Sequence, residues 1–360
     1  MNFIRDLTDP AADRIVERHR KYWDNEDAPR ALFHIVGKPT PMADTPDPHY
    51  LKPSRLDAVA FGDGIERSFD ADGLLHDDFI RMVHVGVCSE ALFGCPIRVS
   101  GGTSWAESCF KDWDQYDHYR LADSPWFATW IDNTRRVVDA LGDEKYPFSC
   151  AAYRGPVDIA SAVLTATGML EAIIDRPVQA KHFIERITDI LIEAATAHVE
   201  LLPSFRNGYF NSYGTWTPGS TVTFTVDDAC LFGPAHYQEF FLPHDIRLCE
   251  AFDRPFAHLH ASARQHFLDW TSIPNLGLQC VIDDAVLSDT HAVLPIGPQV
   301  EELLPDFKAI RQKKSLMVYG FWDEGRIDAV LDALPLGGLS LDMRVMEPDA
   351  IRQRYNVGCI

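Results

Sequence analysis

Short apolar runs alternate with longer segments of helical periodicity along most of this chain. The runs have the length of strands and are bounded by turn residues, whereas the segments between them repeat apolar residues every three to four positions. Alternation of strand and helix is typical of a parallel sheet. The predicted strands cover residues 30–36, 81–87, 146–152, 208–213, 255–260, 276–282, 315–320 and 338–343.

Helical patterns precede and separate these strands. Asp9 and Pro10 have the character of an N-cap and a first helical residue, and an amphipathic stretch follows to about Trp23. Further helices are predicted at residues 158–172, 177–201, 234–252, 262–271, 300–313 and 324–334.

Eight strands favour a closed barrel over an open doubly wound sheet, because no glycine-rich dinucleotide turn follows the first strand and no phosphate-loop spacing occurs. The prediction is one α/β domain, a (β/α)8 TIM barrel with an elaborated N-terminal region. Residues 1–75 supply a helix, the first strand and a proline- and aspartate-rich surface excursion at 37–72. Residues 76–360 supply the remainder of the barrel.

Composition narrows the class of partner. The 360 residues carry a formal net charge of -20, which disfavours nucleic acid, and a small-molecule substrate is expected instead. Eight cysteines without any Cys-x-x-Cys pair are expected to be mostly reduced and buried. Neither a signal-like start nor a long apolar window occurs, so we expect a cytoplasmic protein without a membrane partner.

Two histidines two residues apart, His258 and His260, mark the end of one predicted strand. Residues i and i+2 of a strand face the same way, so both imidazoles can reach one ion. Ser262 and Gln265 have the spacing of a capping box, which would end the strand at about His260. The plainer alternative is a pair of neutral core histidines held by hydrogen bonds.

Asp342 is the expected third ligand, because it ends the last predicted strand and therefore faces the same basin. Catalytic zinc commonly takes three protein ligands and leaves one position open. Cys280 or Asp283 would substitute or add a ligand, although a free cysteine is more often a core residue. Zinc is the expected divalent metal, with manganese or iron as alternatives.

Other polar and aromatic residues lie where predicted strands end. Asp227 and Asp228 form the candidate catalytic pair. Adjacent strand residues face opposite ways, so one of them is expected to enter the basin, either as a base or to hold a cation. The candidate substrate contacts at the same end are His84, Arg154, Tyr213, Trp216, Tyr319 and Arg344.

The order of several motifs resembles the uroporphyrinogen decarboxylase superfamily, from about residue 80 to the end of the chain. That superfamily includes decarboxylases and cobamide or coenzyme M methyltransferases. The segments that carry the resemblance are 226–244, 255–260, 91–94, 105–107, 155–159 and 177–186.

The resemblance implies a (β/α)8 barrel and, in the zinc methyltransferase branch, a His-x-Cys pair with a further cysteine near the end of the last strand. The matching positions here are His258, His260 and Asp342, which would make a harder metal site. A homodimer and a corrinoid or other methyl-carrier partner are further implications. The arginine motif of the decarboxylase has no match at residues 30–40, and the acidic chain disfavours uroporphyrinogen as substrate.

Three functions follow as hypotheses. The first is a metal-dependent methyltransferase that acts on a small methylated substrate at the C-terminal mouth of the barrel. The second is a metal-assisted lyase or decarboxylase, in which the ion stabilises an enolate-like intermediate. The third is a barrel that binds a small molecule without catalysis.

Overall fold

A computed structural model describes residues 10–37, 49–55, 75–100, 103–141, 146–282, 285–287, 293–295 and 297–357. It confirms the (β/α)8 TIM barrel. The third and fourth barrel strands each consist of two pieces. The strands are β1 (Leu32–Gly37), β2 (Val83–His84), β3 (Phe148–Ser149 and Ala152–Arg154), β4 (Gly208–Phe210 and Thr223–Thr225), β5 (Phe256–His260), β6 (Gly277–Val281), β7 (Leu316–Trp322) and β8 (Leu339–Val345).

All ladders between neighbouring barrel strands are parallel. The first piece of β3 pairs with β2 and with the first piece of β4, whereas its second piece pairs with the second piece of β4. From there the sheet continues through β5, β6, β7 and β8 to β1. The carboxyl ends of these strands therefore meet at one mouth, as predicted from the alternation of elements.

Within the described residues, side chains accept hydrogen bonds from the backbone N–H groups on the edge of β1 that faces β2. The Asp78 carboxylate accepts the Phe33 N–H at 2.8 Å, and the Asp77 carboxylate accepts the Ile35 N–H at 2.8 Å. One backbone bond, from Asp78 N–H to the Phe33 carbonyl at 3.2 Å, adds to them. Buried backbone donors need partners, and here two carboxylates supply what a neighbouring strand normally does.

Strand β4 differs most from the prediction of a single strand at residues 208–213. Its first piece ends at Phe210 and turns back into a short antiparallel strand, Trp216–Pro218. The chain rejoins the barrel at Thr223–Thr225, a piece that the sequence analysis did not identify, because three residues are too short for a periodic signal.

The described residues form twelve α-helices. Two of the predicted long helices are each broken in two, one of them at Thr165, whose φ of 86° is incompatible with a continuous helix. The helices are α1 (Pro10–Trp23), α2 (Ser89–Leu92), α3 (Pro125–Leu141), α4 (Pro156–Leu164), α5 (Ala166–Asp175), α6 (Pro177–Val199), α7 (Pro234–Phe240), α8 (Leu242–Glu250), α9 (Phe267–Trp270), α10 (Val300–Arg311), α11 (Glu324–Ala333) and α12 (Pro348–Arg354).

The predicted capping box at Ser262 is wrong, although β5 does end at His260. Residues Ala261–His266 form a 3-10 helix whose N-cap is His260, and no side chain caps it. Gln265 instead donates to the Cys230 carbonyl at 3.5 Å. Spacing alone could not separate this tight turn from a regular helix start.

Helix α1 closes the N-terminal end of the barrel. Trp23 packs edge-on against Phe256, the first residue of β5, in a buried cluster with Tyr22, Leu32 and Met317. The Trp23 indole N–H donates to the Trp216 carbonyl at 2.7 Å. Apolar side chains thus seal this end, while polar ones line the opposite end.

The excursion predicted at residues 37–72 lies mostly outside the described residues. Its described part contains the strand His49–Tyr50, which pairs with Ile97–Ser100, and a 3-10 turn at Pro53–Arg55. No single helix among the described residues is long and apolar enough to cross a membrane; the pair α4 and α5, bent by 99°, meets the length and composition test together.

Candidate functional site

His258 and His260 lie on the inner face of β5, where Leu259 between them points into the outer core. Their Nε2 atoms are 3.1 Å apart, and Oδ1 of Asp227 lies 3.6 Å from the His260 Nε2. One ligand atom from each of the three side chains lies within 4.8 Å of the others. The structure therefore groups two imidazoles and one carboxylate at the mouth, as a metal centre requires.

Asp227 owes its position to Asp158 in the first turn of α4. The Asp158 carboxylate accepts the backbone N–H groups of Asp227 and Asp228 at 3.2 and 2.9 Å, and the Thr225 hydroxyl as well. Burial and then the charge of Asp227 raise the pKa of Asp158 to about 6. This buried carboxyl fixes the turn that follows β4.

Arg154, at the end of β3, orients the Asp227 carboxylate. Its Nη1 donates to Oδ2 of Asp227 at 2.6 Å, and Glu90 and Asp158 lie 3.4 and 3.7 Å from the same guanidinium. Burial opposes the charge of Arg154, but the surrounding carboxylates outweigh it and raise the Arg154 pKa. Because Arg154 holds Oδ2, the other oxygen, Oδ1, is the one directed at His260.

A chain of polar contacts behind His258 selects its tautomer. The His258 Nδ1 contacts the Gln279 Oε1, which can only accept, so Nδ1 carries the proton. The Gln279 amide orientation is supported by its Nε2, which lies 3.5 Å from Oδ2 of Asp342. The lone pair of His258 is therefore on Nε2, the atom that faces His260.

Asp342 lies behind Gln279 and not beside the histidine pair. Its Oδ1 is 3.0 Å from the His34 Nδ1 on the neighbouring strand. Burial alone would lower the pKa of His34, but the Asp342 carboxylate raises it above its usual value. Asp227, rather than Asp342, is the carboxylate that the structure brings to the two imidazoles.

The other predicted ligands do not join this group. Cys280 neighbours the inward-facing Gln279 on β6 and therefore points to the opposite face, where it lies fully buried in the hydrophobic core. Asp283 lies outside the described residues. Asp228 follows Asp227, but its carboxyl is not one of the grouped ligands; burial and the Asp158 charge raise its pKa to about 6.

Four of the six predicted substrate contacts surround the same inner wall. The Tyr213 ring stacks on the His258 ring with centroids 5.5 Å apart, and burial raises the Tyr213 pKa well above its usual value. Arg344 lies over the Tyr319 ring, 5.7 Å from its centroid. Arg154 is the partner of Asp227 already described.

The remaining two substrate candidates lie elsewhere. His84 contacts the Ser149 hydroxyl at 2.9 Å, between β2 and β3. Trp216 does not lie at the mouth: its side chain is buried, its indole donates to the Phe205 carbonyl, and its backbone N–H donates to His19 of α1. Because β4 turns back after Phe210, Trp216 is carried to the closed end of the barrel.

Sequence reasoning missed three residues that support the site, namely His34, Asp158 and Gln279. His34 and Gln279 interrupt strands that are otherwise apolar, and such a polar residue in a buried strand is the signal that could have identified them. Asp158 sits in a helix start, where an aspartate is common and therefore uninformative.

The three grouped residues fit a divalent ion in donor type and spacing. An ion about 2.05 Å from two imidazole nitrogens in tetrahedral geometry holds them about 3.3 Å apart. The two Nε2 atoms are 3.1 Å apart, and the Gln279 contact leaves the His258 Nε2 unprotonated, as a ligand must be.

No family model and no curated protein matches the chain. Among solved structures, a methyltransferase from Methanosarcina mazei matches 95% of this chain and 99% of its own, with a TM-score of 0.63 and 12% sequence identity. The two chains share a fold. At 12% identity the match agrees with the barrel architecture but assigns no functional role to any residue.

Proposed function

We propose that this protein is a metal-dependent methyltransferase acting on a small methylated substrate at the barrel mouth. The grouping of Asp227, His258 and His260 carries the proposal, since it offers one ion two imidazoles, one carboxylate and an open fourth position. The shared fold with a protein named as a methyltransferase supports the reaction class. The resemblance of motif order supports it independently.

When bound, the ion would supply Lewis acidity that polarises the methyl donor or lowers the pKa of the acceptor. The chain's own residues prepare the site for it. Gln279 accepts from the His258 Nδ1–H, which directs Nε2 toward the ion, and Arg154 pairs with Asp227 and leaves its Oδ1 turned toward His260. Imidazole and carboxylate ligands make a harder site than thiolates, which favours an oxygen or nitrogen acceptor over a soft thiol.

The surrounding side chains would bind and orient the substrate. Tyr213 covers one face of His258 and presents a protonated phenol, while Arg344 and Tyr319 line the neighbouring wall. We further propose that the methyl group arrives from, or leaves to, a corrinoid or other methyl carrier. A homodimer in the cytoplasm is the expected form of the enzyme.

Elemental analysis of the untagged full-length protein tests the metal centre. We expect one equivalent of a divalent metal, with zinc as the first candidate, and its loss in the His258→Ala/His260→Ala double variant. His236→Ala, which changes an exposed histidine on α7, is the matched control and should keep the metal. Full occupancy in the double variant would overturn the site.

Methyl transfer is tested with methylcobalamin as donor and a phenol or a thiol as acceptor. Transfer of the methyl group to the deprotonated acceptor would leave cob(I)alamin, which changes the absorption spectrum. We expect metal-loaded protein to accelerate this change and the double variant to leave the rate at background. A rate that does not depend on metal would contradict the methyltransferase assignment.

A metal-assisted lyase or decarboxylase is the second candidate, and one observation favours it. Arg344 has no carboxylate within ion-pair distance among the described residues, so its guanidinium is available for a substrate carboxylate. In this case benzoate, as a simple carboxylate probe, should perturb binding at the mouth of wild-type protein and not of Arg344→Gln. Retained benzoate binding in the variant would argue against this candidate.

A further inference from the structure

A cavity lies at the N-terminal end of the barrel, opposite the candidate metal centre. It has a volume of about 410 Å³ and lies between α1 and the first residues of β1 and β8. Small-molecule sites typically occupy about 300–1,000 Å³. The cavity is therefore large enough for a ligand and is separated from the mouth by the apolar cluster around Phe256.

The wall of this cavity is cationic in a strongly acidic protein. Arg14, Arg18, Lys21 and Arg30 line it, and the described residues of the wall include no aspartate or glutamate. The chain as a whole has 53 acidic against 33 basic residues, so such a concentration is not explained by composition. Such a cluster of cations attracts anions.

Among the residues that the structure describes, only one carboxylate forms ion pairs with these four cations. Asp78, whose side chain is fully buried, accepts from both Arg18 and Arg30. Arg14 and Lys21 make no ion pair with any described residue. One negative charge thus faces four positive ones, which leaves an excess of about three on the wall.

The cations on α1 lie close together, and an anion in the cavity would offset their mutual repulsion. Arg14, Arg18 and Lys21 are spaced four and three residues apart and therefore lie on one face of the helix. Like charges at this spacing repel each other by about 0.2–0.5 kcal/mol per pair. Asp78 also holds the guanidiniums of Arg18 and Arg30 in place before any ligand arrives.

The floor of the cavity is apolar. Leu32, Leu336 and Leu339 lie beneath the cations, with Tyr22 beside them. A bare inorganic ion would leave this floor exposed to water, whereas a ligand with an apolar body would cover it.

We propose that this cavity binds an organic anion that joins an apolar body to a phosphate or carboxylate head. The apolar body would lie on the leucine floor, and the anionic head would meet Arg14 and Lys21 at the rim and the two arginines fixed by Asp78. This site is independent of the proposed methyltransferase activity.

Fluorescence titration of the full-length protein with 1-naphthyl phosphate tests the proposal. Its neutral counterpart 1-naphthol lacks the charge, and inorganic phosphate lacks the apolar body. We expect 1-naphthyl phosphate to bind more tightly than either and to bind more weakly as salt is added. Equal affinity for 1-naphthol, or no binding of the phosphate ester, would overturn the proposal.

The Arg14→Gln/Lys21→Gln variant removes two exposed cations that make no ion pair with any described residue, so folding should be preserved. We expect its affinity for 1-naphthyl phosphate to fall about tenfold or more, as the loss of charge-assisted contacts predicts. Arg135→Gln/Arg136→Gln, with two exposed cations removed from α3, changes net charge equally and should bind as wild type does.

Arg344→Gln distinguishes the two ends of the barrel. Unchanged binding of 1-naphthyl phosphate in this variant supports the cavity at the closed end. Loss of binding in Arg344→Gln would place the probe at the mouth. An equal loss in Arg14→Gln/Lys21→Gln and Arg135→Gln/Arg136→Gln would place it on the general surface. Either result would contradict the proposal.

Discussion

Asp227 lies in the 3-10 turn after β4 and Asp342 lies within β8, and the structure gives these two aspartates different partners. Asp227 faces the imidazoles directly, whereas Asp342 supports Gln279 from behind. We predict that Asp227→Asn weakens zinc binding by more than about 100-fold, and Asp342→Asn by only about tenfold, the lower end for an outer support. A competition titration against a chromophoric chelator measures the zinc affinity of both variants. A larger loss in Asp342→Asn than in Asp227→Asn would indicate that Asp342 is the ligand.

Gln279 is the subject of a separate prediction, because its Oε1 accepts a hydrogen bond from the His258 Nδ1–H. Gln279→Leu keeps the approximate volume but removes the acceptor, so His258 is free to place its proton on Nε2. We expect zinc affinity to fall about 10–100-fold in the same titration. Gln312→Leu, at an exposed position after α10, is the control and should bind zinc normally.

At the residue level the sequence identified both imidazoles but not their carboxylate partner. The prediction that Asp342 ends its strand is wrong, because β8 continues to Val345. Asp342 lies inside the strand, contacts His34 on the adjacent strand and lies behind Gln279. Asp227 was predicted as a base or a cation-holding residue but not as the partner of the two imidazoles, because the turn that aims it depends on a long-range bond to Asp158. Such bonds join distant parts of the chain and leave no local signature.

Two glycines that precede proline at helix starts provide a test at the level of elements. Gly155 and Gly233 both cap helices in extended conformation, but a Cβ on Gly155 would lie 2.5 Å from the Thr225 carbonyl oxygen, whereas one on Gly233 meets nothing within 4 Å. We predict that Gly155→Ala lowers the free energy of unfolding by about 1–3 kcal/mol and weakens zinc binding, since α4 positions Asp158.

Gly233→Ala should leave both properties near wild-type values. Chemical denaturation and the chelator titration measure them. Equal behaviour of the two variants would show that the close packing of α4 on β4 is not what holds the site.

Regular elements were predictable and their interruptions were not. The strand ends of β5 and the extent of α6 followed from periodicity and proline signals, because those elements are continuous. The breaks at Thr165 and within β4 arise where the chain must turn to pack against distant strands. Tertiary packing of this kind overrides local propensity.

The stability of the whole molecule should depend on pH through a buried carboxyl that is not one of the grouped ligands. Asp245 on α8 is fully buried and accepts from Tyr237 and Trp270, and burial raises its pKa to about 7. A raised carboxyl pKa stabilises the fold most below the unfolded value of about 4, and this contribution is lost as pH rises to 7.

Asp245→Asn should therefore flatten the fall in stability between about pH 4 and 7, where one such group contributes up to about 1.4 kcal/mol per pH unit. Denaturation midpoints across this range measure the slope. Asp139→Asn, at an exposed position on α3, should retain the wild-type slope. An unchanged slope in Asp245→Asn would mean that this carboxyl is ionised in the folded protein.

Asp78 has a consequence for the way the chain can be shortened. This one buried carboxylate completes the open edge of β1 and also binds Arg18 of α1 and Arg30. In a chain that begins after α1, Asp78 would keep Arg30 but lose Arg18, and Phe256 and Met317 would be exposed to solvent. We therefore expect helix α1 to belong to the cooperative folding unit, and a chain that begins at Arg30 to be less stable to chemical denaturation than the whole chain.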